Sequence, residues 1–157
     1  MRSYVCAAAL LLVACSPPAS TTEETAGASA VDPAIAAVVT AAMPGVEITG
    51  GEADGQGEYE VAGTLNGEAY EFDLMGPEGG WRVVEIQRDI AWINAPEAVR
   101  IAAIGAAGSF EPQRVIESRQ PADGSVIYEL FAPDAPDAPA MEVRFMDGEA
   151  AVMPPAH

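Results

Sequence analysis

The residues best suited to chemistry are few, and their positions exclude most of it. One histidine, His157, sits at the last position, where chains are expected to fray, and there are two cysteines, Cys6 and Cys15. A histidine-assisted serine or cysteine nucleophile needs an imidazole held rigidly beside it, so triad hydrolysis is excluded. Zinc or copper sites built from imidazole and thiolate are excluded with it. What remains is the carboxylates, 24 Asp and Glu in all, which suit calcium or magnesium, or general acid–base work. An acid–base pair chosen from so many is uninformative, and nothing marks the concave cleft that glycosidic cleavage would require. Glu52-Ala53-Asp54-Gly55-Gln56-Gly57-Glu58 has the composition of a calcium loop but not EF-hand spacing. It reads as a solvated hairpin loop. No catalytic residue, metal ligand or cofactor is therefore assigned.

Charge narrows the partners. The formal net charge is -17, and all seven basic residues are arginine. Such a chain repels nucleic acid and anionic surfaces, so no nucleic-acid partner is expected, and cationic partners are favoured. The absence of lysine fits a GC-rich genome better than a function. Aromatic anchors are the remaining candidates for binding. Trp81 and Trp92 bracket one strand, in which Trp81 and Val83 are expected on one side and Val84 and Ile86 on the other. A strand apolar on both faces is either covered twice or offers a surface that grips a partner. Trp81, Val83 and Trp92 are thus the candidate binding residues, with packing between two halves of the chain as the competing explanation.

The N-terminus carries an address. Arg2 precedes an apolar run from Tyr4 to Val13, which ends in Ala14-Cys15 before Ser16-Pro17-Pro18. The run is too short to span a bilayer, which takes about 20 apolar residues, and has the basic, apolar and small-residue order of a secretory signal. Leu12-Val13-Ala14-Cys15 resembles the lipobox of bacterial lipoproteins. That resemblance implies a signal peptide over 1–14, cleavage before Cys15, and lipidation of Cys15. Ser16 in place of a retention aspartate implies the periplasmic leaflet of the outer membrane. With Cys6 removed and Cys15 acylated, no disulfide is expected. Residues 15–30, rich in Ser, Thr, Ala and Pro, read as the lipidated cysteine and a tether reaching roughly 20 Å.

Two similar passages follow. Asp32-Pro33 opens a helix with Ile35, Val38, Val39 and Ala42 on its face, and Pro44-Gly45 ends it. Asn94-Ala95-Pro96 opens another, with Ala98, Ile101, Ala102 and Gly105 as the expected face, ending at Gly108. Strands are expected over 46–49, 58–65, 68–74 and 81–88, then 114–118, 125–131, 140–146 and 149–152. Asn66-Gly67 is a strong type I′ hairpin signal, and Asp147-Gly148 makes another turn. The expected architecture is α+β, two helix-plus-antiparallel-meander repeats with helices on one face of the sheet, over 31–90 and 91–157.

The residues Pro44-Gly45-Val46, Glu58-Tyr59-Glu60-Val61 and Asn66-Gly67 carry a resemblance to PepSY-like and β-lactamase-inhibitor-like repeats. Gly108, Val126 to Leu130, Val143-Arg144-Phe145 and Asp147-Gly148 carry it in the second half. The resemblance implies a non-enzymatic protein that binds or inhibits another envelope protein. The expected function is accordingly a lipid-anchored periplasmic binding or inhibitory module. The alternatives are a structural or assembly accessory lipoprotein, or a carboxylate-dependent hydrolase.

Overall fold

In the computed structural model, residues 31–55, 57–76, 79–108 and 111–154 are described. The expectations for the signal peptide, Cys15, the tether and His157 lie outside these residues. The described elements are α1 (Pro33–Ala42), β1 (Glu47–Gly55), β2 (Glu58–Leu65), β3 (Glu68–Met75), β4 (Arg82–Ile90), a 3-10 turn (Trp92–Asn94), α2 (Glu97–Ala107), β5 (Arg114–Arg119), β6 (Val126–Phe131), β7 (Met141–Met146) and β8 (Glu149–Val152).

All eight strands belong to one antiparallel sheet, in the order β1-β2-β3-β4-β5-β6-β7-β8. This overturns the expected α+β fold of two helix-plus-meander repeats. Among the described residues the fold is a β-rich meander, 48% strand and 20% helix, with two short helices on one sheet. The reason lies in β4. It pairs with β3 through Phe72↔Ile86 on one edge and with β5 through Ile90↔Val115, Arg88↔Glu117 and Ile86↔Arg119 on the other. A strand paired on both edges continues the sheet across position 90.

Local chemistry accounts for the elements. The Asp32 carboxylate accepts the Ala34 N–H at 2.7 Å and Pro33 takes the first turn of α1, satisfying an end that would otherwise leave donors free. Asn66 and Gly67 both adopt positive φ, 55° and 84°, in the two-residue turn that joins β2 to β3. Asp147 and Gly148 repeat this between β7 and β8. β1 runs on to Gly55 through part of the segment expected as a loop, with irregularities between Ile48 and Gly50 and between Ala53 and Gly55.

Both helices cover the same sheet face. Ile35, Val39 and Met43 pack with Val61, Tyr70, Phe72, Leu74 and Ile86. On the other side, Val99 and Ala103 of α2 pack with Val115, Tyr128, Leu130 and Val143, with Ala95 in the same cluster. The face expected for α2 is corrected by this packing. Ala95, Val99 and Ala103, spaced four apart, are buried, whereas Ile101 and Gly105 are exposed. Small side chains at that spacing let the helix lie close to the sheet, and close contact outweighs isoleucine's greater area.

Between the two cores a charged seam crosses from β4 to β5. Arg88 donates to Glu117 at 3.0 Å and to Glu68 at 2.7 Å, and Arg119 donates to Glu117 at 2.9 Å. Burial pushes the Glu117 carboxyl up, but hydrogen bonds from Arg88 and Arg119 outweigh it and hold the group below the usual carboxylate range. Burial and the neighbouring Glu117 charge push the Tyr128 hydroxyl up to about 12.

Candidate functional site

Among the described residues no helix packs on the other face of the sheet, and strand alternation decides what it displays. On β3, Tyr70, Phe72 and Leu74 turn into the core, so Glu71 and Asp73 point the other way. Pairing carries the pattern sideways. Glu60 lies directly opposite Asp73, Asp73 opposite Glu85, and Glu129 opposite Glu142. Like charges facing each other across a ladder destabilise it unless something compensates.

Compensation inside the protein is partial. Carboxylate oxygens of Glu60, Glu71 and Asp73 all lie within 4.8 Å of one another. Gln87 Nε2 donates to Asp73 Oδ2 at 3.3 Å. The Ser118 hydroxyl donates to Glu85 Oε1, and Gln120 Nε2 donates to the same oxygen at 2.8 Å and to Ser118 Oγ at 2.9 Å. Arg114 grips Asp89 with two hydrogen bonds, 2.6 and 3.1 Å.

The residual repulsion appears in proton affinity. Burial, then the charges of Glu85, Glu71 and Glu60, push Asp73 up to about 6. Burial, then Glu85 and Glu142, push Glu129 up to about 7, against the pull of Arg114. Two hollows border this face. One of about 570 Å³ lies where β3 and β4 part beyond Glu71 and Gln87, and is lined from both faces, by Tyr70 and Arg88 as well as by Glu71, Asp89 and Arg114. A second of about 310 Å³ is bordered by Glu58, Glu60, Asp73, Met75, Val84 and Glu85. Chemically the face can attract cations, accept hydrogen bonds and release or take protons near neutrality. Glu60, Glu71 and Asp73 could each offer one oxygen to a hard cation, fewer than the six to eight that calcium takes.

The candidate binding residues fall elsewhere. Trp81 and Val83 pack against the α1 core and Trp92 against the α2 core, so they do not form one patch. The Trp81 ring meets Tyr59 edge-on at 5.9 Å and lies against Gly76, where a Cβ would come within 2.8 Å of it. The expected division of β4 is corrected by an irregularity opposite Asp73 and Leu74. Phe72 pairs with Ile86 but Leu74 pairs with Val83, which puts Val83 and Ile86 in the same core. The carboxylate rows were missed in the sequence although a signal for one existed. A two-residue turn at Asn66-Gly67 pairs Leu65 with Glu68, and counting back along both strands pairs Glu60 with Asp73.

No protein-family model, curated protein or solved structure matches this chain.

Proposed function

We propose that this protein is a non-enzymatic binding module, held at the cell envelope by lipid on Cys15, that engages a basic segment of another envelope protein. The observation that supports the reading is the uncovered sheet face, where Glu60, Asp73 and Glu85 stand in one cross-strand row. Arginine or lysine from a partner would replace carboxylate–carboxylate repulsion with charge-assisted hydrogen bonds. A net negative charge on one face also speeds encounter with a partner of the other sign. The anchor rests on the Leu12-to-Cys15 signal. Cys15→Ser is expected to abolish membrane fractionation that resists high salt, and retention of the variant at high salt would contradict the anchor.

The binding face has its own test, photocrosslinking in intact cells. A crosslinking residue at exposed Ala62, on the acidic face, is expected to capture a discrete partner, while one at exposed Ala37 on α1 is not. Capture only from position 37 would overturn the assignment of the face. One observation favours a second reading, a carboxylate-dependent hydrolase. Asp73 and Glu129 keep protons close to neutral pH, as a general acid must. That reading requires turnover of a substrate that Asp73→Asn abolishes. The binding reading requires none.

A further inference from the structure

The solvent side of α2 carries a feature that the acidic face does not explain. Ile101 and Ile104 stand one turn apart there, 62% and 50% exposed, and Ile93, in the 3-10 turn leading to α2, is 70% exposed. These are the three most exposed large apolar side chains among the described residues. Arg100 is the helical neighbour of Ile104, four positions earlier. Its Nε is buried without a hydrogen-bond partner, and it forms no ion pair among the described residues; Arg82, whose guanidinium donates to the Met75 sulfur, forms none either, whereas Arg88, Arg114, Arg119 and Arg144 are paired. Pro33 to Ala42 of α1, on the same side of the sheet, contains no charged residue.

We propose that this part of α2 rests on the lipid bilayer, with Ile93, Ile101 and Ile104 in the headgroup layer and Arg100 meeting a lipid phosphate. The inference depends on the Cys15 anchor of the preceding section. Apolar side chains beside a long basic one are the pattern of interfacial helices, in which the basic side chain reaches the phosphate level. Exposed Glu97, one turn before Ile101, shares this side and must keep its carboxylate in the aqueous layer. Charge selects which way the protein turns. Anionic headgroups repel the carboxylate face more strongly than the exposed side of α2, where the charges of Glu97 and Arg100 offset each other. The chain outside the described residues supports the same occupant. Fifteen residues, 16–30, separate Cys15 from the first described residue, a length that keeps the fold close to its lipid. A bilayer held that near is present at high effective concentration, so a patch too small to bind membrane alone can dock. The acidic face is then turned to the aqueous space, where a basic partner can reach it.

The test uses the full-length lipidated protein on vesicles of phosphatidylethanolamine and phosphatidylglycerol. Ile104→Cys and Glu142→Cys each receive an environment-sensitive fluorophore, and quenching by a bilayer-embedded spin-labelled lipid is compared. The label at position 104 is expected to be quenched several-fold more than that at 142, and adding Ile101→Glu is expected to remove the difference. A protein that floats with the vesicles while both labels are quenched alike overturns the docking and leaves the anchor standing. A protein that does not float overturns the anchor and the docking with it. A label at 104 shielded without vesicles, increasingly with protein concentration, identifies a second copy as the occupant and overturns the bilayer assignment.

Discussion

At the scale of single residues, the two faces of the sheet use charge in opposite ways. On the helical face Glu117 is matched by Arg88 and Arg119, and its lowered proton affinity measures the match. Glu117→Ala leaves Arg119 without its carboxylate and Arg88 with Glu68 alone, and a loss of about 2 kcal/mol is expected in urea unfolding. On the open face the mismatch gives a pH dependence whose sign can be worked out. Asp73 and Glu129 hold their protons more tightly folded, at about 6 and about 7, than the unfolded chain does at about 4. Stability should therefore fall as pH rises from about 4 through 6 and 7, and then level off. Melting at pH 5.5 should exceed melting at pH 8. Because both groups are partly solvated, Asp73→Asn or Glu129→Gln should recover only about 1 kcal/mol each at pH 8. Both should flatten the profile, and a wild-type profile flat across this range would contradict the mutual repulsion. Glu117 works in the opposite sense only at acid pH, as its lowered affinity requires, so it leaves that window undisturbed.

At the scale of elements, α2 shows why a helix can be legible in sequence while its orientation is not. Its start, its end and its length follow from Asn94-Ala95-Pro96 and Gly108, and hydrophobic periodicity placed Ile101 inward. The fold instead turns Val99 and Ala103 inward, where they pack with Val115, Tyr128, Leu130 and Val143. Two substitutions test this in opposite directions. Ala103→Leu should overfill the contact and cost about 1–3 kcal/mol. Gly105→Ala should stabilise by about 0.5–1 kcal/mol, since nothing lies within 4 Å of the added carbon. The hairpins were readable for a different reason. Asn66-Gly67 and Asp147-Gly148 are local signals whose turn geometry also sets register. The β4 irregularity opposite Asp73 and Leu74 was not readable, because no residue type marks it, and it moved Val83 and Ile86 into one core. Trp81 follows from the same shift. With Tyr59 and Gly76 against its ring, Trp81→Ala should cost about 2–3 kcal/mol, seen as a lowered melting temperature.

At the scale of the whole molecule, the question is what keeps an open eight-stranded sheet from pairing with further chains. Its edges are poor templates for further pairing. β1 is broken by two irregularities and displays Glu47 and Glu52, and β8 is only four residues long and is followed by Met153-Pro154. What remains for recognition is the faces, one covered by helices and one lined with carboxylates. The pairing of β4 with β5, which no local signal announces, is what joins Asp73 and Glu85 to Glu129 in one field. The central claim is that this face binds a basic partner, and the most direct measurement neutralises it without reshaping it. Glu71→Gln, Asp73→Asn and Glu85→Gln are combined in the lipidated protein carrying the crosslinking residue at position 62. The yield of the captured species in intact cells is then compared with that of the parent. A drop of at least about tenfold is expected, equivalent to about 1.4 kcal/mol, with the melting temperature at pH 7.5 unchanged or raised. An undiminished yield from the neutralised face, in a protein that melts normally, would contradict it.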